Sequence, residues 1–374
     1  MEELRAQGED PINYVCGHAI DHQTRYKSDF KLLKELGINS FRFSLSWTRI
    51  EPTRGRYNRS AIEWYRKYIR DLRKMGITPV VNLWHFAYPV WFDKMGGFTK
   101  HSNIEYYIRY VRHVIKALGP EIDIVLTINE PMVYALESFI TGNWPPNKRK
   151  PITAFRVVNN LVSAHNRAYK EIKRIKPTMR VSFAKNSSHV HNLNPGKMGN
   201  LSLRIHNYAR DDYFFMRTRN HMDFIAINWY QSDSYDTFAP ADPPRRASDL
   251  NWDMNPADIE FSLYRLWGKY HLPILITENG LADALDKNRT WWLRETTSAL
   301  RRALDRGVPV FGYLHWSAFD NFEWDKGFWP RFGLIEIDRE NNLERKPRKS
   351  YYWYKDFINH ARNNAPHPDR AKRD

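Results

Sequence analysis

The 374-residue chain contains a single cysteine, Cys16, so no intrachain disulfide can staple it, and such thin thiol usage fits a reducing compartment. No apolar run approaches the length that crosses a bilayer. The opening residues, Met1-Glu2-Glu3-Leu4-Arg5-Ala6-Gln7-Gly8, lack the apolar stretch of a signal peptide. The expectation is a soluble, cytoplasmic protein with no membrane partner. There is no His-Glu-x-x-His and no cysteine pair, so neither a metal nor another cofactor is expected. No strand-like segment is followed by a Gly-rich phosphate turn, which removes the dinucleotide-binding reading.

What is present describes a folded chain: 42% apolar, 15% aromatic and 27% charged residues, too many rings for disorder. The fourteen tryptophans suit core packing and also the flat faces that sugar clefts use. A net charge of +16 raises the question of nucleic acid. The excess is spread along amphipathic helices, as at Arg66, Lys67, Arg70, Arg73 and Lys74, with short runs at 147–150, 345–349 and 370–373. No zinc-finger or RNA-binding spacing accompanies it, so a solvated basic surface without a specific nucleic-acid partner is expected.

Short apolar strands alternate with amphipathic helices. Strands are expected at 40–47, 78–86, 124–130, 180–186, 224–230, 273–278 and 310–316, and helices at 25–36, 62–75, 104–118 and about 153–175. Near-continuous apolar strands separated by helices indicate a parallel sheet covered on both faces. Polar and acidic residues gather at the strand C-termini: Arg42, His85, Glu130, Asn228, Tyr230, Glu278 and His315. That distribution favours a closed (β/α)8-type barrel with its site at that end. No linker divides the chain, so residues 1–374 are expected to form one domain, with an atypical segment at 1–24 and a basic tail at 363–374. Only seven good strands are found, so the first strand of such a barrel is missing. The short stretch Ile12–Cys16 is the available substitute.

Two strand ends carry a carboxylate. In Asn129-Glu130-Pro131 the proline disfavours the right-handed helical region for Glu130, and an extended conformation is expected there. In Thr277-Glu278-Asn279-Gly280 the Asn-Gly pair suggests a tight turn. Either motif alone reads as well as a cap or a turn. Together at one barrel mouth they suit glycoside hydrolysis, which needs one carboxyl to protonate the leaving oxygen and another to attack or activate water.

The stretch Trp316-Ser317-Ala318-Phe319-Asp320-Asn321-Phe322-Glu323-Trp324, continuing to Arg331-Phe332-Gly333-Leu334, closely resembles the C-terminal signature of glycoside hydrolase family 1, the β-glucosidases and their relatives. Arg42-Phe43-Ser44, His85, Asn129-Glu130-Pro131, Asn228-Trp229-Tyr230 and Glu278-Asn279-Gly280 match the family in order. The resemblance implies a TIM barrel and a retaining β-glycosidase acting on terminal, non-phosphorylated β-glucosides, galactosides or fucosides. It implies Glu278 as nucleophile, Glu130 as acid/base, and Arg42, Asn129, Asn228 and Tyr230 in support. It further implies that His85, Trp316, Glu323, Trp324 and Phe332 cradle the sugar, with the Glu323 carboxylate repelling a 6-phosphate. The plainer alternatives are a satisfied core histidine for His85, packing for Trp316 and Trp324, and a surface ion pair for Glu323. Trp144, Met132 and Tyr134 are candidates for the aglycone side. The family's Gln-x-Glu-Gly element on the first strand has no counterpart, and Trp229 and Phe86 also depart from the common residues. A substitute strand, a second chain, or an open and weakened barrel are the three possible consequences. The competing reading is therefore a weakened or inactive sugar-binding remnant. The oligomeric state is left open.

Overall fold

The computed structural model describes residues 14–194, 196–240 and 246–363. Seven parallel strands form the wall: β1 (Ser40–Ser44), β2 (Thr78–Asn82), β3 (Ile124–Asn129), β4 (Arg180–Asn192), β5 (Ile225–Asp236), β7 (Ile274–Asn279) and β8 (Val310–His315). A two-residue strand β6 (Ala239–Pro240) lies antiparallel to the end of β5. The hydrogen-bonded order is β1-β2-β3-β4-β5-β7-β8, so the wall follows the chain order. The long helices are α1 (His22–Leu36), α2 (Arg59–Lys74), α3 (Ile104–Leu118), α4 (Pro151–Ile175), α5 (Lys197–Asn207), α6 (Ile259–Tyr270), α7 (Arg289–Asp305) and α8 (Lys349–Asn363). Beyond β8, strands β9 (Ile335–Asp338) and β10 (Glu344–Pro347) pair antiparallel as a separate hairpin.

Each expected strand forms, but the first two are shorter than expected: β1 ends at Ser44, with Trp47 starting a short helix, and β2 ends at Asn82. The helices amphipathic enough to be read from spacing form too: α2 buries Ile62, Tyr65, Ile69 and Leu72 on one stripe, and α3 buries Ile104, Tyr107, Ile108, Val111, Ile115 and Leu118. Side chains contributed one per strand make a separate cluster from Val80, Leu126, Ala184, Ala226, Leu275 and Leu314, with Phe224 just ahead of β5. Coming in turn from six strands, they form the layer inside the barrel, with Val80, Leu275 and Leu314 bordering an open cavity. Gly312 is part of that fit, since a Cβ there would meet Leu275 Cδ1 at 2.6 Å.

The count of seven strands holds, and the wall is nearly but not fully closed. Among the described residues, β1 pairs with β2 alone and β8 with β7 alone. Between them lies a cavity of about 780 Å³ lined by Phe41, Arg42, Tyr313, His315 and, from the flanking helices, Leu33 and Phe357. Three buried polar atoms of its lining residues have no partner: Arg42 Nε, His315 Nε2 and Asn321 Oδ1. The expected substitute strand does not form where it is described: Val15 and Cys16 have no regular structure and are exposed, while Ile12 and Asn13 lie outside the described residues. Of the expected basic tail, Asn363 ends α8 and the rest lies outside them. No helix is long and apolar enough to cross a membrane among the described residues.

Backbone groups on an unpaired edge open locally at lower cost than those inside a sheet. Hydrogen exchange read by mass spectrometry is therefore expected to be faster in peptides covering β1 and β8 than in those covering β4 and β5. Equal protection would show that the two edges are covered in solution.

Candidate active site

The polar ends of β1, β3, β5 and β7 converge on one cluster. Arg42, central in β1, donates one guanidinium nitrogen to Glu278 Oε1 and the other to Asn129 Oδ1 at 2.5 Å. Both side chains of the ion pair are 6% exposed. Tyr230, on β5, donates its hydroxyl to the second oxygen of Glu278 at 2.6 Å. Asn228, two residues earlier and so on the same face of β5, donates to Glu130 Oε1 at 2.7 Å and to Asn129 Oδ1 at 3.2 Å. Its own carbonyl is fixed by Thr277 Oγ1 at 2.7 Å. Arg42, Asn129 and Asn228 thus link the two glutamates without an intervening apolar wall.

His85 extends this network. Asn129 Nδ2 donates to His85 Nε2 at 2.9 Å, which leaves Nδ1 to carry the proton toward Ser44 Oγ at 3.0 Å. Burial, with the Arg42 charge added, holds the imidazole well below its ordinary pKa, consistent with a neutral ring. The plain alternative of a satisfied core histidine therefore fits the hydrogen bonding, yet the ring also faces Trp324 at 5.3 Å and Trp316 at 6.4 Å. Trp324 continues the aromatic wall to Phe86 at 4.9 Å and Trp144 at 5.4 Å, and Trp144 Nε1 is anchored on Asp325 at 2.8 Å. Phe332 is buried behind Tyr230 and Trp252, at 6.0 and 6.1 Å. Of the other aglycone candidates, Tyr134 belongs to the core, packed on Trp84 with its hydroxyl on Tyr88, and Met132 packs against the same core.

Two local expectations need correction. Glu130 is not extended: it lies at φ 40°, ψ 62°. The clash with the proline ring excludes the right-handed helical region, and the left-handed one lets β3 turn at once into a short helix whose first residue is Pro131. Such a backbone costs about 1–2 kcal/mol, offset in part by the bond from Glu130 N to Ala184 O at 2.8 Å. Nor does Asn279-Gly280 act as a tight-turn pair. The Asn279 amide is clamped by Trp229 O, Trp292 Nε1 and Tyr313 OH, fixing the strand end next to Glu278. Gly280 is required by close approach, since a Cβ would lie 1.6 Å from the Trp316 carbonyl oxygen.

Burial first, then the charge of Glu278, raises Glu130 to about 7, against the Asn228 hydrogen bond and the charges of Arg42 and Lys185. Glu323 is raised further, to about 8, by burial and then by Glu278 and Glu130. Its Oε2 is buried with no partner, so it is not the surface ion pair of the plainer reading. Lys185 is a site residue that the sequence reading misses. It is buried on β4, ion-paired to Asp211 at 3.6 Å, and a lysine inside an apolar strand is its only signal. Trp252 and Thr277 are missed as well, and no pattern in the sequence marks them. No group of His, Cys, Asp and Glu among the described residues could hold a metal ion.

A parallel α/β barrel with two buried carboxyls at its mouth, one clamped by arginine and tyrosine and one raised toward neutrality, is the frame of a glycoside-cleaving enzyme. The family model of glycosyl hydrolase family 1 matches residues 9–216 and 207–363, and the chain belongs to that family of glycoside hydrolases. It is 30% identical to β-glucosidase A of Thermotoga maritima over 391 residues, covering 91% of this chain and 86% of that protein. Among solved structures, it is similar to the β-glycosidase from Pyrococcus horikoshii, with a TM-score of 0.85 at 30% identity, covering 94% of this chain and 89% of that one. The family 1 β-glucosidase from T. maritima in complex with isofagomine lactam gives 0.86 at 26% identity, covering 91% and 87%.

Because the Glu278 charge contributes to the raised pKa of Glu130, Glu278→Gln is expected to move the Glu130 titration downward. Carboxyl ¹³C resonances followed against pH would measure it, and an unmoved or rising titration would contradict the coupling. Removing the hydroxyl in Tyr230→Phe takes one hydrogen bond from a buried carboxylate, with kcat/KM expected to fall by roughly one to two orders of magnitude.

Proposed function

We propose that the chain is a retaining β-glycosidase acting on terminal, non-phosphorylated β-glucosides or their galactose and fucose counterparts. The observation that carries this reading is the contrast between the two carboxyls. Glu278 accepts bonds from Arg42 and Tyr230, which pair and orient it as an attacking carboxylate. Glu130 holds a proton up to about pH 7, as a general acid must. In the first step Glu278 attacks the anomeric carbon while Glu130 gives its proton to the departing oxygen. The ester formed removes the Glu278 charge, the pKa of Glu130 falls, and Glu130 then takes a proton from water attacking the same carbon. Two inversions return the β configuration. Asn129, held by Arg42 and His85, has a second amide N–H to offer a sugar hydroxyl. His85, Trp316, Trp324 and Glu323 form the cradle, with Phe332 supporting Tyr230. The single cysteine favours a reducing, cytoplasmic location.

Glu323 also bears on substrate. Raised to about 8, it is largely protonated at neutral pH and can donate to a hydroxyl. A 6-phosphate dianion would instead add negative charge to a pocket that already holds Glu278 and keeps Glu323 protonated, with the Arg42 guanidinium committed to Glu278. Turnover of an aryl β-glucoside is expected to exceed that of its 6-phosphate at least tenfold in kcat/KM, and the reverse order would overturn this choice of substrate.

The roles are separated by chemical rescue. Glu278→Ala and Glu130→Ala are each expected to lose more than about a thousandfold in turnover. Azide should restore the first by attacking in place of Glu278, giving the α-glycosyl azide. It should restore the second by attacking the glycosyl-enzyme, giving the β-azide. Exchanged anomers would reverse the assignments.

The open seam between β1 and β8 favours a second reading, a sugar-binding remnant with little or no turnover. Arg42 borders that seam, and its Nε is unpartnered. Wild-type protein that binds glucose-like inhibitors without turning over aryl β-glucosides would select it.

A further inference from the structure

Lysines and arginines are spread over the whole chain, but one segment has almost no acidic residues to offset them. From Ser138 to Arg210 the sequence holds fourteen lysines and arginines and a single acidic residue, Glu171. The same segment carries much of the exposed apolar surface. Ile152 and Phe155, one turn apart at the start of α4, are 80% and 58% exposed. Helix α5 buries only Gly199 and Ser202, and presents Met198, Leu201 and Ile205 outward at spacings of three and four. That stripe continues to the exposed Tyr208 in the next turn. Tyr213 joins the two helices, its ring contacting Phe155 at 5.6 Å and Tyr208 at 6.0 Å.

Around this strip stand Lys148, Lys150, Arg156, Lys197 and Arg204, all exposed, with no carboxylate at ion-pairing distance among the described residues. On the helical wheel, Lys197 and Arg204 lie seven residues apart along one flank of the α5 stripe. Asp236 is the exposed acid nearby, next to Thr237, whose carbonyl accepts from Ser202. An apolar strip edged with unpaired cations differs from a self-complementary protein contact, because two copies would bring like charges together. It matches the boundary layer of an anionic bilayer, where apolar side chains enter the acyl region and cations meet headgroup phosphates.

We propose that this face, formed by the start of α4 and by α5, docks on anionic lipid surfaces. It needs no spanning helix, so the lack of a long apolar run, on which the expectation of no membrane partner rests, does not bear on it. The start of α4 follows β3 and α5 follows β4, which places the face at the same end of the barrel as Glu130 and Glu278.

The full chain is tested by sedimentation with vesicles of phosphatidylcholine containing phosphatidylglycerol, against phosphatidylcholine alone. Retention is expected only on the anionic vesicles, weakening as salt is raised. Serine at Ile152, Phe155, Leu201 and Ile205 together should reduce it at least tenfold. Glutamate at Lys148, Lys150 and Arg156 should abolish it independently. These side chains are exposed and outside the site, so both variants should keep the wild-type circular dichroism and soluble-substrate turnover. Absence of retention on anionic vesicles, or retention untouched by both variants, overturns the proposal. So does concentration-dependent dimerisation abolished by the serine variant, which would assign the face to a second copy, and so does salt-sensitive retention on DNA without any on vesicles.

Discussion

The site depends on the two-armed grip of the Arg42 guanidinium. One arm fixes Glu278 and the other fixes the carbonyl oxygen of Asn129. Fixing that oxygen orients the rest of the amide toward His85 and leaves the same oxygen to share with Asn228, which in turn holds Glu130. A planar fork can do this; a lysine, with one point of charge, could not set both partners at once. The ion pair is nearly dry, so truncating Arg42 would strand a buried carboxylate at a cost of about 3–5 kcal/mol. Contacts made by strands that are not neighbours in the wall therefore meet through one residue.

The same grip decides the charge states. Three carboxyls, Glu130, Glu278 and Glu323, influence one another in a pocket where the Arg42 guanidinium is committed to Glu278. The other two are pushed upward, Glu130 to about 7 and Glu323 to about 8, by burial and by their charged neighbours. Lys185 moderates Glu130 from behind the wall, but its ammonium is occupied by Asp211 and the Asn186 carbonyl. What separates the two catalytic candidates is thus not residue type. It is which of them the guanidinium reaches.

Much of this is legible in the amino-acid sequence alone. The wall strands announce themselves as apolar runs because both their faces are buried, and carboxylates ending two such runs must project from the same end of a parallel barrel. The overlength of β4 and β5 is not legible. Past Asn186 and Tyr230 the two strands keep pairing beyond the barrel, from His189↔Ser232 to Asn192↔Tyr235, and their residues there are too polar to read as strand. Helices α5 to α8 escape notice: α5 lacks a buried apolar face, α6 has no helix-starting signal beyond Asp258, the buried stripe of α7 is diluted by Arg289, Thr296 and alanines, and α8 buries only Ser350, Tyr351 and Tyr354. The left-handed Glu130 defeats the proline rule because that rule excludes one region without choosing between the others. Gly280 misleads because a glycine spent on close approach looks, in sequence, the same as one spent on a turn.

The open seam raises the question of how an edge strand can carry the central residue of the site. β1 has one hydrogen-bonded neighbour, and an edge is the loosest place in a sheet. Its position is nevertheless over-determined from outside. Phe41 and Phe43 pack with a cluster formed by α1, Tyr68 and Leu72 of α2, and the β9 residues Ile335 and Ile337. That cluster is pinned by the buried Asp29, which joins Arg345 of β10 to His22. From inside, both terminal nitrogens of Arg42 are held across the barrel by residues of β3 and β7, strands that do not border the seam. Only Nε is left unpartnered, on the seam side. The missing neighbour thus costs backbone pairing and a few buried polar atoms, while the catalytic geometry is carried by anchors on the closed part of the wall.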